Sequence, residues 1–329
     1  MIPTQTPEDV KKFKNLLLYF RRLTADGITS LIEPSLLTML ENSLPFFSHL
    51  VLEDIFDYVE RLTINRNVVG SNKRIRNISQ LSFPPAEKVT RYGRCNRPNQ
   101  SVLYGGFNRM TVLSELRPGI GDIITVSKWR VKHDMPLKYV PIFKNQPRPR
   151  SRLTGYVPTI EELINHPDNL LNERTWKINK LYEEQLVNVE PYLKEQIEDL
   201  VQFIADAFTR PVPSNHLDYL ISAFFSDVIL NRFENGSIDA IFYPSVKQNL
   251  SFENIAIKPS SFVKKYEIYE VKDSVVVQTS PGTFMLGLGD CKSFDLASGK
   301  ILWDKDQMRQ SSEELESLKN KYGIDIWSE

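Results

Sequence analysis

Residues 91–119 read RYGRCNRPNQSVLYGGFNRMTVLSELRPG, and this stretch gives the strongest indication of the fold. A loop rich in Arg and Asn is followed by a short apolar run that ends in two glycines, and then by a short helical pattern. A loop, a strand end and a helix in close succession are typical of a domain that mixes α and β elements. We expect Arg94 in the loop, Tyr104 at the strand end and Glu115 at the border of the helix's apolar face.

These three residue types suit a nucleotide ligand. Arg94 follows a glycine, so the backbone can approach a ligand closely while the guanidinium holds a pyrophosphate through paired, charge-assisted hydrogen bonds. The Tyr104 ring can act as a stacking platform for a flat heterocycle. A carboxylate such as that of Glu115 can stabilise positive charge while a bond to a sugar breaks. Together they favour a nicotinamide nucleotide.

Two sequence features together resemble the RES domain family, which is named for its Arg, Glu and Ser. The first is the GRxN element around Arg94, followed by Tyr104 ten residues later and by Glu115 eleven residues after that. The second is SIDAIFYPSVKQNLSFENIAIKP at 237–259, where Asp239, the Tyr-Pro-Ser of 243–245 and the Asn-Ile-Ala of 254–256 are similar to the family's closing motif. The resemblance covers roughly residues 74–260.

The resemblance implies an α+β fold similar to ADP-ribosyltransferase toxins, with a mixed β core flanked by helices. It also implies an enzyme that consumes NAD by hydrolysis or phosphorolysis of the nicotinamide–ribose bond. NAD would be a substrate, and no further cofactor would be required. Such proteins are usually toxins of toxin–antitoxin or defence systems, so the implied partner is a separate antitoxin protein.

The same resemblance implies a role for each site residue. Arg94 would bind the NAD phosphates or a ribose, Tyr104 would stack near nicotinamide, and Glu115 would stabilise the ribosyl cation. Ser245 would orient the ribose or Glu115, so we expect its hydroxyl within hydrogen-bonding distance of Glu115 or of a shared ligand. Additional phosphate contacts are expected from Arg74 or Arg76.

The chain departs from the compact family pattern in three places. We expect an N-terminal helical region at 1–70, a RES-like catalytic domain at 71–262 with a peripheral helical insertion at about 133–210, and a C-terminal extension of a β-hairpin and a helix at 263–329. The helices of the first region begin at a Thr6 cap and include an amphipathic stretch from Leu52 to Leu62. Strands are expected at 73–76, 101–104, 122–126, 240–243, 266–271 and 275–278.

Charge is unevenly distributed along the 329 residues, although 41 basic and 41 acidic side chains cancel. Residues 61–150 contain 18 Lys and Arg, 12 of them Arg, against four acidic residues. This block can attract a nucleotide or a nucleic acid, or it can pack against the acidic remainder of the chain. A nucleic-acid-binding module ranks lower because the cations follow no recognition-helix pattern. Two further hypotheses are a mono-ADP-ribosyltransferase that modifies a protein target and a catalytically inactive scaffold.

Several classes of site and location are disfavoured. The sequence has no GxxxxGK[ST], GxGxxG, GxSxG or HExxH motif, and its two cysteines form no CxxC pair, so we expect no metal site. The apolar runs are too short for a bilayer, and the first residues lack a signal-peptide pattern. We therefore expect a cytoplasmic protein without membrane contact.

Overall fold

The computed structural model describes residues 6–107, 109–143, 168–212, 215–245, 253–279, 284–303 and 309–324. The α-helices are α1 (Pro7–Leu23), α2 (Glu33–Ser43), α3 (Arg66–Val69), α4 (Arg109–Leu116), α5 (Asp168–Gln185), α6 (Pro191–Thr209), α7 (Leu220–Asp227), α8 (Pro259–Lys265) and α9 (Ser312–Tyr322). The strands are β1 (Leu52–Asp54), β2 (Tyr58–Ile64), β3 (Leu103–Gly106), β4 (Ile123–Val131), β5 (Leu137–Pro141), β6 (Ala240–Pro244), β7 (Glu253–Ile257), β8 (Tyr266–Gln278), β9 (Phe284–Cys291), β10 (Phe294–Asp295) and β11 (Lys300–Ile301). The fold class is therefore mixed α and β, as the sequence predicts.

The chain divides into two compact units, each assembled from three separate segments. The helix-rich unit consists of Met1–Glu53, Ala86–Gln100 and Lys138–Glu253. The sheet unit consists of Asp54–Pro85, Ser101–Leu137 and Asn254–Glu329. Neither unit coincides with one of the three regions expected from the sequence, because both interleave along the chain.

Helix α1 opens the helix-rich unit at the Thr6 cap that the sequence predicts, and the structure shows that this cap is a capping box. The Thr6 side chain accepts from the backbone N–H of Asp9, and the Asp9 carboxylate accepts in return from the backbone of Thr6. The apolar stripe of α1 is buried, and α1 packs against α6, where the rings of Phe20 and Phe203 lie 6.3 Å apart. The facing stripe of α6 is also buried and consists of Ile197, Leu200, Val201, Ile204 and Phe208.

Strands β5 and β6 pair in parallel in this unit, with Tyr139 opposite Ala240. The rings of Tyr139 and Phe242 stack at 4.2 Å, and both side chains are fully buried. Within the helical insertion expected at about 133–210, residues 137–141 thus form the strand β5, which is part of the buried structure of its unit. The insertion itself stays a prediction. The Pro- and Arg-rich segment at 144–158 lies outside the described residues.

The sheet unit is built on antiparallel strands in the order β7-β3-β2-β4-β8-β9. Helix α4 covers part of one face, where Val112 and Leu113 pack on an apolar cluster. The other members of that cluster come from the strands and are Leu62, Ile64, Ile124, Val126 and Val276. A helix expected over 52–62 is thus wrong: β1 and β2 occupy this stretch, and β2 pairs with β4 over its whole length.

The structure contradicts some of the other predictions for the sheet unit and confirms others. Residues 73–76 form no strand, and Asn77 makes an isolated bridge to Lys300. The two strands expected after residue 265 are one continuous strand, β8. The predicted hairpin and last helix are confirmed: β10 pairs with β11 around Gly299, while α9 begins at the Ser311 capping box and ends at Gly323. Across the described part of the chain, none of the helices has the length and apolar character needed to cross a bilayer.

Candidate functional site

The residues nominated by the sequence fall into both units. Tyr104, Glu115, Arg74 and Arg76 belong to the sheet unit, whereas Arg94 and Ser245 belong to the helix-rich unit. The nominated residues therefore form two groups, one in each unit.

Glu115 is hydrogen-bonded to a residue of the predicted closing motif. It lies half-buried near the end of α4, and its Oε1 accepts from Nδ2 of Asn254 at 3.0 Å. The two residues are 139 positions apart in sequence. They meet because α4 follows β3 and because β7 pairs with β3, with Asn254 opposite Gly106. An amide donor of this kind holds a carboxylate in a fixed orientation.

Tyr104 lies on the same sheet face as Asn254. It pairs with Ala256 in β7 and stands two residues before Gly106, and residues two apart in a strand share a face. Its side chain is half-buried, and its carbonyl accepts from Nη1 of Arg61 at 3.3 Å. Burial lowers the pKa of Arg61 to about 10, which still leaves the guanidinium charged at neutral pH.

The strand before Glu115 requires a glycine next to Tyr104. A Cβ at Gly105 would lie 2.8 Å from the carbonyl oxygen of Glu60 and 2.8 Å from Cγ1 of Val59. Both distances are shorter than Cβ contacts in folded proteins. Gly105 therefore lets β3 and β2 approach each other closely.

A row of residues in direct register crosses five strands of the sheet unit. Glu60 in β2 is opposite Gly106 and Lys128, Gly106 is opposite Asn254, and Lys128 is opposite Glu270. Directly opposed residues point to the same face of a sheet. The polar residues of this row therefore lie on the face that α4 partly covers. We call them, together with Gly106, the polar row.

Glu60 is the site residue that the sequence did not reveal. Its Oε2 is buried and, within the described ranges, has no hydrogen-bond partner. The helix predicted over 52–62 gave no reason to select Glu60. A strand over the same stretch places Glu60 on the same face as Leu62 and Ile64.

Arg94 holds the end of a helix in the helix-rich unit. Its Nη1 donates to the carbonyl of Phe208 in the last turn of α6, and both Nη atoms reach the carbonyl of Arg210 at 3.4 Å. The guanidinium also lies 5.0 Å from the ring centroid of Tyr219. These contacts are typical of a basic side chain that caps a helix C-terminus.

Cys95, beside Arg94, is a buried free thiol. Burial raises the pKa of this thiol to about 12. Because the thiolate is the nucleophilic form, Cys95 is inert at neutral pH.

Arg74 and Arg76 lie in different surroundings. Nε of Arg74 is 2.6 Å from Oδ2 of Asp273, and its guanidinium lies 4.1 Å from the ring centroid of Trp303. The Arg74 and Asp273 side chains are both buried; burial raises the pKa of Asp273, and the guanidinium opposes that shift. Arg74 is thus committed to the interior of the sheet unit. Arg76 is exposed, and its carbonyl accepts from the backbone of Ile301 at 2.8 Å.

Ser245 follows β6 and is fully buried. Asp239, at the opposite end of β6, closes the β5–β6 pair, because its Oδ2 accepts from the backbone N–H of Lys138 at 2.9 Å and its own N–H donates to the Lys138 carbonyl at 2.8 Å. The predicted proximity of Ser245 to Glu115 stays a prediction.

In the described ranges, no group of three or more His, Cys, Asp or Glu side chains could hold a metal ion. In comparisons of the sequence, no protein-family model and no curated protein matches this chain.

Proposed function

We propose that this protein cleaves the nicotinamide–ribose bond of NAD and that Glu115 stabilises the positive charge that develops on the ribose. The observation that carries the proposal is the hydrogen bond between Asn254 and Glu115. Each residue lies in a different segment of the RES resemblance, and the contact forms within the sheet unit. A chance similarity of two distant segments gives no reason for them to meet.

The chemistry follows from the carboxylate's position. As the C–N bond breaks, its electron pair leaves with neutral nicotinamide, and the anomeric carbon becomes electron-deficient. A half-buried carboxylate stabilises that cation more strongly than one in bulk water. Water then attacks the anomeric carbon and loses a proton, giving ADP-ribose; inorganic phosphate or a protein side chain would give the phosphorylated or transferred product instead.

Tyr104 supports the same assignment, since its half-buried ring lies on the sheet face of Asn254 and can stack on a planar leaving group. The proposal does not rest on Arg94 or Arg74, whose guanidinium groups bind protein carbonyls and Asp273. A separate antitoxin partner remains an expectation from the resemblance.

The test is product analysis by chromatography after incubation of the full chain with NAD, with and without inorganic phosphate. We expect nicotinamide release from the parent and a loss of about 100-fold or more in Glu115→Gln, because that variant removes the negative charge and keeps the side-chain volume. Exposed Glu316 in α9 provides a matched control, and Glu316→Gln should retain the parent rate. A parent that releases no nicotinamide, or a Glu115→Gln variant as fast as the parent, would overturn the proposal.

A further inference from the structure

Glu60 lies in the middle of the polar row, and one of its carboxylate oxygens is buried. Its Oε2 has no hydrogen-bond partner in the described part of the chain. Lys128 stands opposite Glu60, yet the pair forms no ion pair among the described residues. The Lys128 ammonium instead lies 4.1 Å from the ring centroid of Tyr58.

A buried carboxylate oxygen without a partner is costly, since the group loses its hydration and gains nothing in return. Native proteins satisfy nearly all such atoms, and exceptions concentrate where a ligand or a reaction supplies the missing contact. Glu60 therefore needs a donor that the described part of the chain does not supply.

The row also shows where that donor would lie. Gly106 separates Glu60 from Asn254, so the middle position has no side chain. Strands are about 4.8 Å apart, which puts the backbones of Glu60 and Asn254 about 10 Å apart on either side of the glycine. Asn254 in turn holds Glu115, so a sugar over Gly106 would lie beside the proposed catalytic carboxylate.

We propose that Glu60 is a substrate-binding residue that accepts hydrogen bonds from the hydroxyls of the nicotinamide ribose. Carboxylates recognise ribose diols in this way in dinucleotide-binding proteins. The inference rests on the proposed function and adds to it a determinant of sugar specificity: a ribose should bind better than a deoxyribose.

The test is calorimetric titration in the Glu115→Gln background, in which NAD can bind without being consumed. Glu60→Gln and Glu60→Asp are each added to this background, and Glu316→Gln is the matched control. The probes are NAD and the analogue whose nicotinamide ribose is 2′-deoxy. Thermal melting of each variant checks that it folds.

We expect Glu60→Gln to weaken NAD binding about tenfold or more and Glu60→Asp to weaken it less. Both should weaken binding of the deoxy analogue by a smaller factor, because that analogue keeps only the 3′-hydroxyl as a donor to the carboxylate. Equal NAD affinity with and without Glu60, or the same loss for both ligands, would overturn the role of Glu60 while leaving NAD cleavage intact. If the parent releases no nicotinamide and the Glu115→Gln background binds no NAD, the proposed function fails and the role of Glu60 with it. If Glu60→Gln fails to fold, an affinity of Glu60→Asp equal to that of the background would itself overturn the inference.

Discussion

The arginines that the sequence nominates for phosphate binding show how much a guanidinium depends on its surroundings. The same planar fork binds a phosphate, a carboxylate or a helix end. Arg74 faces Asp273, 199 positions away, and Arg94 faces the carbonyl of Phe208, 114 positions away. No local sequence pattern predicts contacts between residues so far apart in sequence. The sequence suggests candidate residue types for a nucleotide site, but it does not predict how each arginine is used.

The Arg94→Lys variant distinguishes the two roles considered for Arg94, which are capping the end of α6 and binding the phosphates of NAD. Lysine keeps the charge but has no fork to bridge the carbonyls of Phe208 and Arg210, so we expect the free energy of unfolding to fall by about 1–2 kcal/mol. Urea unfolding measures this change, and Arg91→Lys, at an exposed position in the same loop, should alter it little. A variant with parental stability and a weakened affinity for NAD would instead assign Arg94 to phosphate binding.

At the scale of elements, local signals were predictable and long-range pairing was not. The capping boxes of α1 and α9 depend on residues three positions apart, and the sequence predicts both the Thr6 cap and a C-terminal helix. Residues 52–62 were predicted to be helical because their apolar spacing fits a helix. The structure has β2 there, and this strand is stabilised by pairing with β4, more than sixty residues later. β5 was missed for the same reason, since its parallel partner β6 lies about a hundred residues further on. The Asn254–Glu115 contact became visible only through the β3–β7 register.

Gly105→Ala tests the close approach of β3 and β2. The new methyl group would lie 2.8 Å from a backbone oxygen, so the strands must move apart, and we expect a loss of about 1–3 kcal/mol in the free energy of unfolding. Gly119→Ala is the control, because its Cβ would meet only Oδ2 of Asp122, at an ordinary 3.5 Å. Equal stability of Gly105→Ala and the parent in urea unfolding would contradict the tight contact. A displaced β3 should also lower nicotinamide release, because β3 carries Tyr104 and leads into α4.

On the scale of the whole molecule, each unit joins three segments that are distant in sequence. Such an arrangement needs long loops to close before its contacts form, and it leaves no boundary that composition alone could mark. The region boundaries expected at residues 70 and 262 were placed where the local sequence pattern changes. The two units of the structure are instead formed by contacts between distant segments.

The pH dependence of unfolding tests the interior of the helix-rich unit through His49. Its ring packs near Phe143 at 5.8 Å, and within the described residues neither ring nitrogen is in hydrogen-bond geometry, although the nearby Leu50 backbone opposes part of the effect of burial on the pKa. Burial lowers the pKa of His49 from 6.5 to about 4. The folded protein thus keeps His49 neutral where the unfolded chain binds a proton, so the free energy of unfolding falls as the pH falls through this range.

We expect His49 to contribute about 2 kcal/mol to the loss of stability between about pH 8 and pH 5. Urea unfolding across this range measures the slope. His49→Phe keeps an aromatic ring beside Phe143 and removes the titrating group, so its curve should be flatter than the parent's by that amount. The control is His133→Asn at an exposed position with a positive φ that Asn tolerates, and it should keep the parental slope. Parallel curves for His49→Phe and the parent would show that His49 is protonated as readily in the folded protein as in the unfolded chain, which would contradict its burial without a partner for either nitrogen.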